Sequence, residues 1–174
     1  EKIDTGAVLL QESMSIRREE TMGELSQRMQ EKSGQMIVNT LDVLASGNAE
    51  AIPQPKVKNL IPAPKLTREN TRVDWSKNGQ EIVNHVHRLN PFPTAWSMLE
   101  LPDEELNIKL KRAHFISGRP IQTPGVITIE GQQLSVAVND GYVFIDELQL
   151  PNKKSMDTTA LLNGFSFPKK CRFV

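Results

Sequence analysis

The sequence is short of several things, and each shortage narrows what the chain can be. One cysteine, Cys171, stands among 174 residues. An internal disulfide and a cysteine zinc cluster are therefore excluded, and a reducing compartment, the cytoplasm, suits the chain. No apolar run approaches the roughly 18–20 residues that a membrane-spanning helix needs, so no membrane partner is expected. No basic start followed by an apolar stretch marks a secretory leader. Position 1 is Glu, not Met, and the expectation is a processed or truncated piece of a longer polypeptide. Aromatics make up only 5% of the residues. Trp75 and Trp96 lie in hydrophobic settings beside helix and strand starts, and both read as core or domain-packing residues, with stacking on bases the alternative. Nor is there an excess of one charge, since 21 Lys and Arg balance 21 Asp and Glu.

That balance hides an asymmetry. Residues 1–50 carry five basic and nine acidic side chains, a net of −4, whereas residues 51–174 carry sixteen and twelve, a net of +4. A change of sign between halves suggests two modules with different partners, the second a mild candidate for a polyanion. In the first module, Ala7-Val8-Leu9-Leu10 reads as a buried strand. Thr21-Met22-Gly23-Glu24 fits a capping box. The helix it opens is amphipathic, with Met22, Leu25, Met29, Met36, Ile37, Leu41 and Leu44 at steps of three, four or seven. Gly47 is its expected stop. The methionines of this stripe, Met22, Met29 and Met36, read as core. One strand and one helix cannot bury their own apolar faces, and their partners are expected upstream.

Pro53, Pro55, Pro62 and Pro64 then crowd four of the eleven prolines into residues 53–64, so residues 51–66 read as an extended linker. Beyond it Ser76 is a candidate cap for a helix reaching about Leu89, with Ile82, Val83, Val86 and Leu89 on one side. Asn90-Pro91-Phe92-Pro93 ends that helix. Strand patterns follow at 95–99, 107–115, 125–129, 134–138 and 142–150, parted by Gly131 and Asp140-Gly141. Five short strands with an extra helix favour a small closed barrel over a parallel sheet. A last helical turn over about 157–162 precedes a basic tail.

At this point the residues resemble a known family. Ile3-Asp4-Thr5-Gly6 with Thr21-x-Gly23-Glu24-Leu25 is similar to the end of the catalytic domain of the methionyl-tRNA formyltransferase family. Ala63-Pro64-Lys65-Leu66-Thr67-Arg68-Glu69 followed by Arg72-Val73-Asp74-Trp75-Ser76 looks like that family's entry into its C-terminal domain. Asn90-Pro91-Phe92-Pro93-x-Ala95-Trp96 and Leu148-Gln149-Leu150-Pro151-x-Lys153-Lys154-x-Met156 through Leu162-Asn163-Gly164 match its later signatures. The likeness covers nearly the whole chain. It implies a mixed fold: a residual β-strand and helix of an α/β formyltransferase domain at 1–50, the Pro-rich linker at 51–66, and a small OB-like β-barrel with extra helices at 67–174, which binds tRNA. It also implies an activity, the transfer of a formyl group from 10-formyltetrahydrofolate to the methionine amino group of initiator methionyl-tRNA. Two departures stand out. Ala7 takes a position where the family often has an acidic residue. The His-x-Ser-Leu-Leu-Pro signature and its nearby catalytic Asn are missing, so this segment alone is expected to bind no folate and to be inactive.

The same likeness implies the roles of individual residues. Formyl transfer to an amine develops an oxyanion, which needs donors aimed at it and a group to manage the amine's protons. Asp4 stands where the family's Asp orients the catalytic His and holds it protonated. By spacing alone Asp-Thr-Gly reads as a turn, and it is the resemblance that makes Asp4 a catalytic candidate. Candidate nucleic-acid contacts are Lys65, Arg68, Lys109, Lys111, Arg112, Lys153, Lys154, Lys169 and Lys170. Lys109 and Lys111 oppose Ile108 and Leu110 on a strand, and an ordinary solvated surface is the competing reading. No metal is expected. His85 and His87 stand two apart on a helix, which points them to different faces, unlike an i, i+4 ligand pair. Lys169, Lys170 and Arg172 could lower the Cys171 pKa, though with no base beside it an incidental thiol is the simpler reading. Two other functions stay open, a sugar-nucleotide N-formyltransferase of the same family and a stand-alone RNA-binding module. The stranded strand and helix could pack on the barrel or on a second copy, giving an artificial dimer.

Overall fold

The computed structural model describes residues 3–55, 61–168 and 171–174. The chain divides into two compact units, Glu1–Arg17 with Glu24–Lys65, and Arg18–Gly23 with Leu66–Val174.

The first unit is built on α1 (Met22–Ala45), which begins directly after Thr21 and carries Glu24 in its first turn. Gly47 lies just past its end at φ +69°, the left-handed conformation that a glycine adopts without a Cβ clash. Residues 12–15 run along its polar side. Lys32 Nζ sits 2.7 Å from a Glu12 carboxylate oxygen and 3.0 Å from the Ser13 carbonyl, and Arg28 reaches the Ser15 carbonyl at 3.2 Å. The apolar stripe has the expected helical period, but the expectation that it is core is corrected. No residue of α1 is buried, and Met29, Ile37 and Leu41 are 55%, 60% and 59% exposed. The expected strand at residues 7–10 is corrected too. Val8 and Ile52 exchange two backbone hydrogen bonds, at 2.8 and 2.9 Å, and no ladder extends from that bridge. Pro53 and Pro55 beside it have no N–H to continue the pairing. Gln54 instead spends its side-chain amide on the Asp4 and Gly6 carbonyls, at 2.9 and 2.8 Å.

The second unit is a nearly closed antiparallel sheet with helices against it. Its elements are α2 (Gly79–Arg88), β1 (Ala95–Glu100), β2 (Glu105–Ser117), β3 (Ile127–Glu130), β4 (Gln133–Val138), β5 (Gly141–Gln149), β6 (Met156–Asp157), α3 (Thr158–Gly164) and β7 (Arg172–Phe173). The strands run in the order β3-β4-β5-β2-β1-β7, with β6 on β5. The two-residue β7 joins the ends of this order. It pairs with β1 on one side, while on the other Arg172 bridges Val126 and the Phe173 N–H donates to the Gly125 carbonyl at 2.8 Å. Gly125 is required there, because it sits at φ +90° and a Cβ would collide with the Phe173 carbonyl oxygen.

The interior follows from strand alternation. Ala95, Ser97 and Leu99 of β1 point inward, as do Val143, Ile145 and Leu148 of β5, and every residue of β4 after Gln133 is buried. Helix α2 contributes Ile82, Val83 and Val86, with Leu89 just beyond its end. Trp75 stacks on Phe173 at 5.4 Å, and its Nε1–H donates to the Ser97 hydroxyl at 2.9 Å. Ser76 does not cap α2 as expected. Asn78 takes the N-cap position, while the Ser76 N–H and hydroxyl both donate to Asp74. Gly79 presses on the core so closely that a Cβ would run into the Phe115 ring. Residues 18–23 also pack in this unit, with Thr21 buried and the Gly23 N–H bonded to the Asn90 carbonyl at 3.0 Å. Among the described residues no helix is long and apolar enough to cross a membrane.

Candidate nucleic-acid interface

The outward faces of β1, β2 and β5 carry a row of side chains in register. Trp96 pairs with Lys109, and Lys109 pairs with Gln149. Their sequence neighbours Ala95, Ser97, Ile108, Leu110 and Leu148 are buried, so period-2 alternation directs all three residues away from the core. Gln149 Nε2 donates to the Lys153 carbonyl at 2.7 Å. That bond ties the turn bearing the exposed Lys153 and Lys154 to the end of the row.

At the other end two arginines meet Trp96. The Arg68 guanidinium carbon lies 5.0 Å from the centre of the indole ring and that of Arg72 5.5 Å away. Residues 71–76 alternate buried Thr71, Val73 and Trp75 with exposed Arg72, Asp74 and Ser76, which throws Arg72 outward beside the ring. Trp96 is thus half-buried on the outer face, not a core residue as its apolar neighbours suggest. Arg72, Trp96 as a platform, and Gln149 escape sequence reasoning. The Arg-x₃-Arg spacing just before Val73-Asp74-Trp75 is the signal that points to the first.

The middle of the face is shaped by an irregularity in the β2–β5 pairing. Register shifts fall on either side of Arg112, which pairs with Glu147. Buried positions on β2 run Ile108, Leu110, then Ala113, and on β5 Ile145, then Leu148. Both strands therefore restart their alternation one residue late. Lys111 and Arg112, consecutive in sequence, are both half-exposed as a result. Asn90 Nδ2 holds the Lys111 carbonyl at 3.0 Å, and His87 Nε2 accepts from the Ala113 N–H at 3.3 Å. Arg112 Nε lies 3.9 Å from Glu147, whose carboxylate also accepts from the Ser155 hydroxyl at 2.6 Å.

Polarity changes away from this centre. The turn end of the β1–β2 hairpin sets Glu100 opposite Glu105, and Arg172 pairs with Glu100 at 2.5 Å. Past the irregularity, His114 Nδ1 lies 2.9 Å from both Asp146 oxygens, and its ring stacks on Phe144 at 5.0 Å. The basic region is therefore bounded, running from Arg68 and Arg72 through Lys109, Lys111 and Arg112 to Lys153 and Lys154. Of the other expected contacts, Lys65 is the last residue of the first unit, and Lys169 and Lys170 lie outside the described residues. Asp4 also belongs to the first unit, exposed, in a left-handed turn at φ +60°.

Away from this face, Asp74, Lys77, Glu81, His85 and Arg88 line one cavity of about 480 Å³. Burial pushes the Cys171 thiol above its ordinary value, the reverse of the activation that basic neighbours would give. His85 accepts from Arg88 at 2.7 Å while its Nε2 is enclosed without a close hydrogen-bond partner. Burial lowers the His85 pKa, and the nearby Thr71 and Arg72 backbone offsets this only in part. The Ser76 hydroxyl, followed by the Ser76 N–H, holds Asp74 below the usual carboxylate range. Among the described residues no three His, Cys, Asp or Glu side chains gather to hold a metal. The arrangement is suited to binding an extended anion.

The family described as formyl transferase, C-terminal domain, matches residues 65–166. The chain belongs to the formyltransferase family. It is similar to a protein of Porphyromonas gingivalis named methionyl-tRNA formyltransferase, 37% identical over 171 residues, which cover 95% of this chain and 53% of that protein. A protein of the same name from Flavobacterium johnsoniae is 33% identical, with 99% of this chain and 55% of the relative covered. The chain thus spans about half the length of the curated relatives it matches. Among solved structures a variant of HypX from Aquifex aeolicus superposes with a TM-score of 0.64 at 20% identity, covering 94% of this chain and 29% of that one. At that identity the likeness concerns the fold alone.

Proposed function

We propose that this chain is the C-terminal part of a methionyl-tRNA formyltransferase whose OB-like barrel, residues 67–174, holds initiator methionyl-tRNA while formyl transfer takes place in a catalytic domain that ends at about residue 50. The observation that carries this reading is the bounded basic face described above. Nucleic-acid affinity is largely a matter of phosphate neutralisation and shape, and a rigid sheet presenting Lys and Arg in register supplies both. The relatives' name supports the choice of tRNA over other polyanions.

In this reading the two units divide the work. Asp4 sits in a turn whose Asp4 and Gly6 carbonyls are clamped by Gln54, so its carboxylate projects from a fixed backbone. Beside an imidazole it would favour the imidazolium, which stabilises the oxyanion formed as the amine attacks the formyl carbon. The formyl donor, 10-formyltetrahydrofolate, is assigned to the domain holding the His-x-Ser-Leu-Leu-Pro segment, and no residue of this chain is assigned to it. The open groove of about 440 Å³ between residues 7–10 and Met36, Ile37 and Leu41 is the seat for the rest of that domain, with residues 51–66 as the linker. The work belongs to translation initiation in the cytoplasm.

The test is tRNA binding by the intact protein against salt concentration. Log affinity should fall linearly with log salt, and Lys109→Ala/Lys111→Ala should flatten the slope by roughly one unit for each phosphate no longer neutralised. An unchanged slope in that variant and in Lys153→Ala/Lys154→Ala would remove these four lysines from RNA binding.

A further inference from the structure

We propose that Arg68 and Arg72 form a two-guanidinium fork for the RNA phosphodiester backbone, and that Trp96, which carries no charge, is the positioning residue that builds it. The proposal rests on the barrel's outer face being the RNA-binding face.

Five contacts converge on Trp96. Its Nε1–H donates to the Arg68 carbonyl at 2.8 Å, and its ring lies under the Arg68 guanidinium. Its own N–H donates to the Thr71 carbonyl at 3.1 Å, and its carbonyl accepts from the Val73 N–H at 2.8 Å, so the backbone on both sides of Arg72 is fixed against it. The ring then also underlies the Arg72 guanidinium. A guanidinium resting on an aromatic face keeps its N–H edge turned outward, in the planar geometry that matches two phosphate oxygens. Holding it there beforehand removes much of the rotamer entropy that binding would otherwise cost. Two like charges beside one ring repel each other, and an anion between or above them relieves that repulsion. Neither arginine has a carboxylate ion pair among the described residues. Glu69, beside Arg68 in sequence, is held below the usual carboxylate range, first by the Thr67 hydroxyl, then by its own backbone N–H, with the Arg68 charge a smaller contribution.

A merely structural tryptophan would fasten residues 67–73 to β1 and leave the electrostatics of binding alone. The experiment separates the two by reading salt dependence. Initiator methionyl-tRNA binding by the intact protein is measured at several salt concentrations for Trp96→Leu, Trp96→Phe, Arg68→Ala/Arg72→Ala and the triple variant carrying Trp96→Leu. Trp96→Leu removes no charge, yet should flatten the log–log slope by roughly one to two units. Equivalently, its affinity loss between about 50 and 200 mM salt should be about tenfold smaller than that of the unsubstituted protein. Trp96→Phe, which keeps a platform, should retain most of the slope, and Trp96→Leu should add nothing to the double arginine variant. A normally melting Trp96→Leu protein with an unchanged slope would overturn the proposal. Should Trp96→Leu fail to fold, the exposed arginine pair decides, and an unchanged slope in Arg68→Ala/Arg72→Ala overturns it as well. Loss of slope in Lys109→Ala/Lys111→Ala with none in the arginine pair would sink the fork and keep the wider face. If none of these variants moved the slope, the RNA reading itself would fall.

Discussion

In the barrel, hydrophobic pattern and burial coincide. Ile82, Val83 and Val86 of α2 are at most 2% exposed, and Leu99, Ile108 and Leu110 of the strands not at all. In the first unit the two part company. The stripe on α1 has the same helical regularity, yet Ile37, Leu41 and Leu44 remain 60%, 59% and 47% exposed. The contrast teaches that periodicity records the surface a helix is shaped to cover, which is a separate matter from what covers it. It also separates two kinds of function. Under the proposed function the barrel would supply a rigid face for binding, whereas the first unit would present Asp4 and an apolar groove to the rest of the catalytic domain.

Substitutions can sharpen or break that contrast. The largest effect is expected from Phe173→Ala, which removes the ring that seals the barrel against Trp75. It should cost about 3–5 kcal/mol, read as a fall in the midpoint of chemical denaturation. Leu41→Ala, made in this chain, should stay within about 0.5 kcal/mol, because the side chain is not packed in a core. A large loss of stability there would show that α1 is buried after all. In the intact enzyme Asp4→Asn should lower kcat for formyl transfer by about 10²-fold or more while the KM for tRNA stays put. Lys109→Ala/Lys111→Ala should do the opposite, raising KM severalfold with kcat kept, since these lysines would act in binding alone. If both variants moved the same parameter, the division of labour between the units would be lost.

The smallest effect concerns pH. Burial depresses the His85 pKa below its usual 6.5, so the folded barrel prefers the neutral ring. That preference stabilises the fold above pH 6.5 and is lost as pH falls through the lower folded value. Stability should therefore decline on acidification below about pH 6.5, and His85→Gln should shallow that decline by a few tenths of a kcal/mol. The readout is thermal melting at stepped pH. A decline of the same depth in both proteins would assign it to other groups.

Local signals made much of this legible. Gly47 ends α1, and Asp140-Gly141 and Gly131 part the strands, because turn chemistry and period-2 patterns act within a few residues. Lys109 and Lys111 fall on the side opposite Ile108 and Leu110, as alternation requires. What stayed hidden depends on distant partners. The two-residue β7 is too short to show a pattern, and its closing role exists only because Gly125 lets the Phe173 carbonyl approach. The restart of alternation at Lys111-Arg112 is answered some 35 residues away at Asp146-Glu147. Trp96 was misjudged for the same reason. Its neighbours are apolar, but its ring faces out, and only the path of residues 67–73 brings Arg68 and Arg72 onto it.

The central claim is that residues 67–174 grip the RNA and leave the chemistry to other parts of the enzyme. Formyl transfer to initiator methionyl-tRNA by the intact protein, with and without that segment, tests it most directly. The account predicts a collapse of kcat/KM carried mainly by KM, and undiminished transfer by the shortened enzyme would contradict it.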